Sequence, residues 1–515
     1  MAQKKVAPDI EVWQKFHIFA DSLNLYPMEL KHFLAVDLGA TSGRTVLSAF
    51  DGQRVTMREF TRFKNPQIPI SGHLFWDLPF LYNEILTALR KVAEEGIVLT
   101  SIGIDTWGVD VAFFGKDGQL LGLPYCYRDS HTDGAVERFF QEHMSARELY
   151  NRTGIQFMPF NTLFQLETLQ RNGCSAMETA DKILFIPDAL TYMLTGQAVC
   201  EYTILSTSQM LNPQTGDIDE KLLGLLRLSR HKLGRLVKPG EKAGVLTEQV
   251  QTFTGLSPVP VVSVAGHDTA SAVAAVPAED SEYAYLSCGT WSLLGIESRH
   301  AIINDKSFEY NFTNEGGLDG TTRFLKNICG LWLFENCRKE FKDVPTDVNE
   351  LNALCHTSSF DGLIQPDDPL FAHPDSMTEA IRTFCRQTGQ LEPQVPADYV
   401  RCIFRSLALR YRQIIEILSE MADFNIKRLH VIGGGSLNRH LMQWTADATG
   451  LPVIAGPAEG TALGNTLVQI RAAGGVDSLA DMRSIVAKSV ELKTYMPNAS
   501  DEWDEAYEIF KSLNP

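Results

Sequence analysis

Long apolar runs are missing from this chain. No stretch approaches the roughly 18 consecutive apolar residues of a membrane-spanning helix, and the first residues lack the apolar run of a secretory signal. None of the nine cysteines forms a CxxC pair, which argues against a zinc ribbon or a redox dithiol, both of which need that spacing. Reduced, mostly buried thiols are expected, Cys288 and Cys329 among them. Positive charge is also scarce: Lys plus Arg number 46 against 63 Asp plus Glu, a net charge of -17. Such a chain repels a phosphate backbone unless a local basic patch offsets it, and Lys4-Lys5 is too short to serve. Neither nucleic acid nor membrane is therefore expected as a partner, and a cytoplasmic enzyme fits best.

Common catalytic signatures are absent too. No GxxxxGK[ST] phosphate loop, HExxH zinc site or GxSxG nucleophile elbow occurs. Gly433-Gly434-Gly435-Ser436-Leu437-Asn438 lacks the third glycine of a dinucleotide fingerprint and comes late in the chain.

What remains is a long chain of average globular composition, with 515 residues, 44% hydrophobic and 21% charged. That length predicts two large domains. The patterning predicts an α/β fold. Phe33–Leu38 and Arg44–Phe50 are short apolar runs about a Gly/Ser/Thr turn, the pattern of a hairpin. Asp77 then caps an amphipathic helix in which Leu78, Leu81, Ile85, Leu89 and Val92 recur at three and four residue intervals. A strand follows over Val98–Asp105. Val109–Phe114 and Gln119–Leu123 are expected to flank a Lys-Asp-Gly turn as a second hairpin.

The second half repeats this grammar. Glu282–Leu286 and Ser292–Glu297 again surround a small-residue turn, and Gly289-Thr290-Trp291-Ser292 aligns with Gly39-Ala40-Thr41-Ser42. A long helix over Tyr399–Met421 leads to a strand at Arg428–Ile432 and the Gly433-Gly434-Gly435-Ser436 loop. A duplicated architecture with a cleft between its halves is the economical reading.

Three segments could carry chemistry. Turns of small residues aim several backbone N–H groups at one point and so bind phosphate. Asp37-Leu38-Gly39-Ala40-Thr41-Ser42-Gly43-Arg44 has that character, with Arg44 as a charge-assisted donor. A carboxylate such as Asp37 beside phosphate implies an intervening Mg²⁺, or else an Asx-turn that orients its own loop. Gly266-His267-Asp268-Thr269 follows a buried strand and opens a helix of small residues. Asp268 is the best general-base candidate, although a helix cap also favours Asp there. Finally, Asp105-Thr106-Trp107-Gly108-Val109-Asp110 combines two carboxylates with an aromatic face, a mixture suited to sugar hydroxyls and C–H groups, while a buried tryptophan beside loop carboxylates gives the same pattern.

Taken in order, the turn Asp37–Arg44, Gly266–Thr269, Cys288-Gly289-Thr290-Trp291-Ser292-Leu293-Leu294-Gly295 and Gly433–Ser436 resemble the motifs of FGGY-family carbohydrate kinases across residues 31–490. Ile104–Asp110 and Phe324-Leu325-Lys326-Asn327 are most similar to the branch of that family that acts on L-rhamnulose. The resemblance implies two ribonuclease H-like domains of the actin and Hsp70 superfamily, closing on ATP and a sugar. An extension over 1–30 would precede an N-terminal domain at 31–277 and a C-terminal domain at 278–515. ATP would meet Ala40, Thr41, Ser42, Gly43, Arg44, Thr290 and Gly433, as well as Glu335, which stands where the family pattern has a glutamine. Gly108, His267, Asp268, Thr269 and Asn327 would line the sugar site, with Asp268 as proton acceptor and Mg²⁺ near Asp37. The implied reaction is phosphorylation of L-rhamnulose at its 1-hydroxyl. A kinase for another deoxyketose such as L-fuculose, or an ATP-gated chaperone or filament protein with the same core, are the competing readings.

Overall fold

In the computed structural model, which describes residues 30–372 and 374–513, the first apolar runs form the expected hairpin. The extension expected over 1–30 lies, apart from Leu30, outside the described residues. Lys31–Leu38 (β1) pairs antiparallel with Ser42–Phe50 (β2), and β2 pairs in turn with Val55–Lys64 (β3). The amphipathic helix Leu78–Glu94 (α1) begins where predicted, with the Asp77 carboxylate accepting from the Phe80 amide, and buries Leu78, Leu81, Ile85, Leu89 and Val92. It returns the chain to Leu99–Thr106 (β4), parallel to β1. Lys242–Val245 (β5) and Pro260–Val262 (β6) complete a six-stranded sheet in the order β5-β6-β4-β1-β2-β3.

A short helix, Asp268–Ala274 (α2), leads out of β6 towards the second sheet. There Tyr283–Cys288 (β7), Trp291–Ser298 (β8), Thr313–Gly316 (β9) and Thr322–Cys329 (β10) are followed by the helices Trp332–Glu340 (α3) and Pro396–Ser419 (α4). Arg428–Ile432 (β11), Val453–Ala455 (β12), the helix Gly460–Ala472 (α5) and Lys493–Tyr495 (β13) complete it, in the order β9-β10-β8-β7-β11-β12-β13.

The two sheets share one plan. An antiparallel trio (β3-β2-β1 or β10-β8-β7) is extended by two parallel strands (β4 and β6, or β11 and β12) and finished by an antiparallel edge (β5 or β13). This is the expected duplication, and it places the loops after β1, β6, β7 and β11 around a common cleft, where open α/β sheets bind ligands. One expectation holds only in part. The turn closes, with the Gly115 and Leu121 amides on the Gln119 and Phe113 carbonyls, but Gln119–Leu123 forms no strand beyond a single bridge of Leu120 to Phe114, and the full-length partner of Val111–Phe114 is Lys182–Phe185. Nothing local to Val111–Phe114, buried at all four positions, marks that distant partner. No helix among the described residues is long and apolar enough to cross a membrane.

One join between the halves is α5. Although it belongs to the second half of the chain, it packs on the first sheet and on α2. Its buried Asn465 donates to Asp105 at 2.6 Å. The Gln469 amide group reaches both the Leu34 carbonyl, at 3.2 Å, and the Ser101 hydroxyl, at 2.7 Å. Thr466 bonds Ser48 at 2.9 Å. At Gly464 the helix comes so close to α2 that an added Cβ would lie 1.7 Å from the Ser271 carbonyl oxygen. Backbone stands on both sides, so no side chain can rotate to make room. Gly464→Val should therefore lower the midpoint of thermal unfolding, with a loss of about 1–3 kcal/mol or more.

Candidate functional site

The register of β1 against β2 sets Asp37 opposite Arg44. The guanidinium consequently grips the carboxylate through Nε at 3.0 Å and Nη2 at 2.8 Å, and its other terminal nitrogen pairs with Glu459. Burial works against the Arg44 charge, but these two acids more than offset it and raise its pKa. The intervening turn is pinned from β3's end, where Asn65 donates from its backbone to the Thr41 carbonyl and from its side chain to that of Gly39. Among the described residues the Ala40 and Thr41 amides have no hydrogen-bond partner, which leaves two N–H groups for an anion.

The matching turn of the second sheet is held by the start of α3. Gly330 and Trp332 amides donate to the Thr290 carbonyl at 3.2 and 3.1 Å. Beside it, Gly433 sits at φ 86° with the Cys288 carbonyl where a Cβ would be, so glycine is required there for both reasons.

The Gly266–Thr269 loop is anchored from behind by residues the sequence did not single out. Glu201 is buried and receives the amides of Gly266 (2.9 Å), Thr203 (2.9 Å) and Ile204 (3.0 Å). Its own amide donates to buried Asp188. Burial drives the pKa of both acids up, that of Asp188 well above the ordinary value. Asp268 is the first residue of α2 rather than its cap. Its Oδ1 takes up the Thr269 amide at 2.6 Å and hydroxyl at 3.2 Å, and it faces His267 Nε2 at 3.4 Å. With two donors from Thr269 on Oδ1 and His267 beside it, Oδ2 is the atom left to accept a proton.

Three carboxylates converge below the turn. Asp37 and Asp105 are register partners on β1 and β4. Asp105 is fully buried, with Oδ2 bound by Asn465 and Oδ1 without any partner. Burial and then the Asp37 charge push Asp105 well up; burial, reinforced by Asp37 and opposed by His267, raises Asp268. The Asp37 charge that lifts both neighbours, together with the orphaned buried oxygen of Asp105, supplies oxygens of the kind a hard divalent cation accepts, although the three side chains do not gather them about one point.

Asp110 takes the buried structural part of the two its position left open. It is buried beneath the aromatic surface, accepting from Trp76 Nε1 (2.6 Å), Trp107 Nε1 (2.9 Å), the Tyr127 amide (3.1 Å) and Gln165 (2.9 Å). Burial pushes its pKa up to about 6. With four donors already satisfied it orients the aromatic wall and does not face the cleft.

A cavity of about 330 Å³ collects these elements. Of the residues singled out by sequence, Ala40, Thr41, Gly108, His267, Asp268, Thr269, Thr290, Asn327 and Gly433 all line it. Ser42, Gly43 and Arg44 stand in β2 beside it, and Asp37 lies buried at the end of β1. Glu335 is not brought to this cavity: it lies on α3, paired with Arg338 at 2.8 Å. Sequence reading missed Gln156, whose side-chain oxygen accepts both the Asn327 amide (3.1 Å) and its side-chain NH₂ (3.0 Å) across the cleft. Nothing local marks a lone glutamine in a loop. A remote cluster of Cys355, His356 and His440 is accounted for by a hydrogen-bond chain from Arg439 through His440 to His356.

Comparison with known proteins agrees with this geometry. Residues 32–275 match the model of the FGGY family of carbohydrate kinases, N-terminal domain, and 284–473 match that of its C-terminal domain. A rhamnulokinase of Bacteroides thetaiotaomicron is 52% identical over 484 residues, covering 94% of this chain and 99% of the relative. One of Pectobacterium atrosepticum is 43% identical, covering 95% and 97%. Among solved structures, gluconate kinase from Lactobacillus acidophilus superposes with a TM-score of 0.76 at 16% identity, covering 94% and 96%. Plasmodium falciparum glycerol kinase with ADP gives 0.74 at 16%, covering 94% and 97%. The last two show the shared fold. Neither the fuculose-type nor the chaperone-type reading is favoured by these matches. Two family models that together span most of the chain, and relatives at this identity over nearly its whole length, make it a member of the FGGY family of carbohydrate kinases.

Proposed function

We propose that this carbohydrate kinase transfers the γ-phosphoryl group of ATP to the 1-hydroxyl of L-rhamnulose, giving L-rhamnulose 1-phosphate and ADP in rhamnose catabolism. The observation that carries the reading is the meeting of both small-residue turns with the free oxygen of Asp268 in one cavity. The sugar identity is supported by the rhamnulokinase relatives and their near-complete coverage. In this reading residues 31–277 hold the sugar, the base and one phosphate turn, and residues 278–515 hold the nucleotide. Nine free thiols and the dependence on ATP support a cytoplasmic location.

Phosphoryl transfer passes through a loose transition state, so the protein's work is alignment and charge stabilisation. The sugar would lie between Gly108, Asn327 and the His267–Thr269 loop, with its 1-hydroxyl at Asp268. Asp268 takes the hydroxyl proton as the sugar oxygen bonds to the γ-phosphorus and the bond to the ADP oxygen breaks. The Ala40 and Thr41 amides and Thr290 receive the phosphate oxygens from the two sides, and the Gly433 loop leaves room for the nucleoside. Asp37 and Asp105, with Asp268 nearby, would hold Mg²⁺. When bound, that ion neutralises phosphate charge that would otherwise meet three carboxylates. Arg44 contributes from behind, fixing Asp37 rather than reaching into the cavity.

Asp268→Asn should fold and bind ATP while turnover falls by about 10²–10⁴-fold; near-normal turnover, read by ADP release, would remove Asp268 as the base. ADP release against a panel of ketoses and polyols, with the product mapped by NMR, should single out L-rhamnulose and phosphorus on O1. Burial and Asp37 raise Asp268 against the opposing charge of His267, and Asp105 is the other carboxylate within reach of it. A base works only when ionised, so kcat/KM should fall on the acid side at a pH above the ordinary carboxylate range.

A further inference from the structure

The base loop is steadied from the opposite domain. Arg323, on β10, is among the largest side chains in the protein to be wholly buried, and its Nε donates to the Gly316 carbonyl at 2.9 Å. Its Nη2 lies 3.0 Å from Glu315 Oε2 and 3.2 Å from His267 Nδ1. Glu315, on β9, is buried too, with Oε2 3.2 Å from the same Nδ1. Because His267 Nε2 faces Asp268 Oδ1, a continuous line of polar contacts runs from the second sheet to the proposed base on the first.

Stability alone is a poor reason for this arrangement. Burying an ion pair is costly, and well-packed apolar residues usually serve a core as well or better. The pair is not even fully satisfied, since Arg323 Nη1 and Glu315 Oε2 lack a well-aligned hydrogen bond. What the pair does achieve is to fix the imidazole. If Nδ1 accepts from Arg323, the ring is neutral and carries its proton on Nε2. Glu315 Oε2, which has no hydrogen-bond partner of its own, stands beside that contact and holds Arg323 in place by charge. That contact aims the Nε2–H at Oδ1 and leaves Oδ2 free. β9 is itself docked on the first domain, with the Gly316 amide on Ser206 Oγ at 2.7 Å and the Asn314 amide on the Gly154 carbonyl at 2.9 Å.

We infer that Glu315 and Arg323 are positioning residues that act through His267, holding Asp268 in its reactive orientation only while β9 and β10 of the second domain are seated against the first. The inference rests on Asp268 being the base, so Asp268→Asn is measured alongside.

The test compares Glu315→Asp and the double variant E315M/R323M with the unmodified enzyme, by steady-state kinetics in both substrates and by thermal unfolding. The double variant removes both charges at once and so avoids leaving one buried and unpaired. It should keep both KM values within about threefold while kcat falls about 100-fold, the cost of a base misplaced by an ångström. Glu315→Asp, which keeps the charge but withdraws it by one methylene, should keep its unfolding midpoint and lose about tenfold in kcat. A purely structural role would lower the midpoint and raise KM without singling out kcat. Values of kcat within about twofold of normal in both variants, with Asp268→Asn inactive, overturn the inference. Should the double variant fail to fold, Glu315→Asp decides by itself. Normal turnover by Asp268→Asn would instead bring down the base assignment, and this inference with it.

Discussion

Helices α2 and α5 meet backbone to backbone at Ser271 and Gly464, and that contact sets how far apart the two sheets stand. From the same helix Asn465 and Gln469 reach into the first sheet and satisfy buried groups on β1 and β4. One of those groups is Asp105, a member of the carboxylate cluster. The spacing of the domains and the electrostatics of the site are thus fixed by two successive residues of one helix, Gly464 by what it lacks and Asn465 by what it donates.

The charge problem posed by the composition is resolved locally. A protein of net charge -17 that binds a polyanion concentrates neutral donors where the phosphates go, and keeps the guanidinium of Arg44 engaged with Asp37 and Glu459. Acid is concentrated one layer deeper, where it can hold a cation between itself and the phosphate. Net charge therefore reports on what the whole surface avoids and says little about a cleft built from backbone amides.

Legibility followed locality. The hairpins, α1 and the duplication were readable because each is written in a contiguous pattern: alternation about a small-residue turn, three and four residue spacing after a capping Asp, and a turn that recurs half a chain later. Most of the cavity lining was readable because it sits in four short motifs whose order resembles a known family. Asp110 stayed open between two readings because a carboxylate beside tryptophans looks the same whether it meets a sugar or the indole N–H groups, and only the third dimension brings Trp76 and Gln165 to it. Glu201, Glu315, Arg323 and Gln156 went unseen for the converse reason. Each acts on a partner dozens to more than a hundred residues away, and no local spacing encodes that.

The Ala40 and Thr41 amides left open at the end of β1 bear on how such a site can change over time. Recognition through main-chain groups belongs to the path of the chain and not to the side chains hung on it, so drift at these two positions is tolerated while the turn keeps its length. A one-residue insertion or deletion there would instead move Arg44 off Asp37 and rotate β2 by one face. Lineages descending from this domain are therefore free to vary the letters of the turn but bound to keep their count.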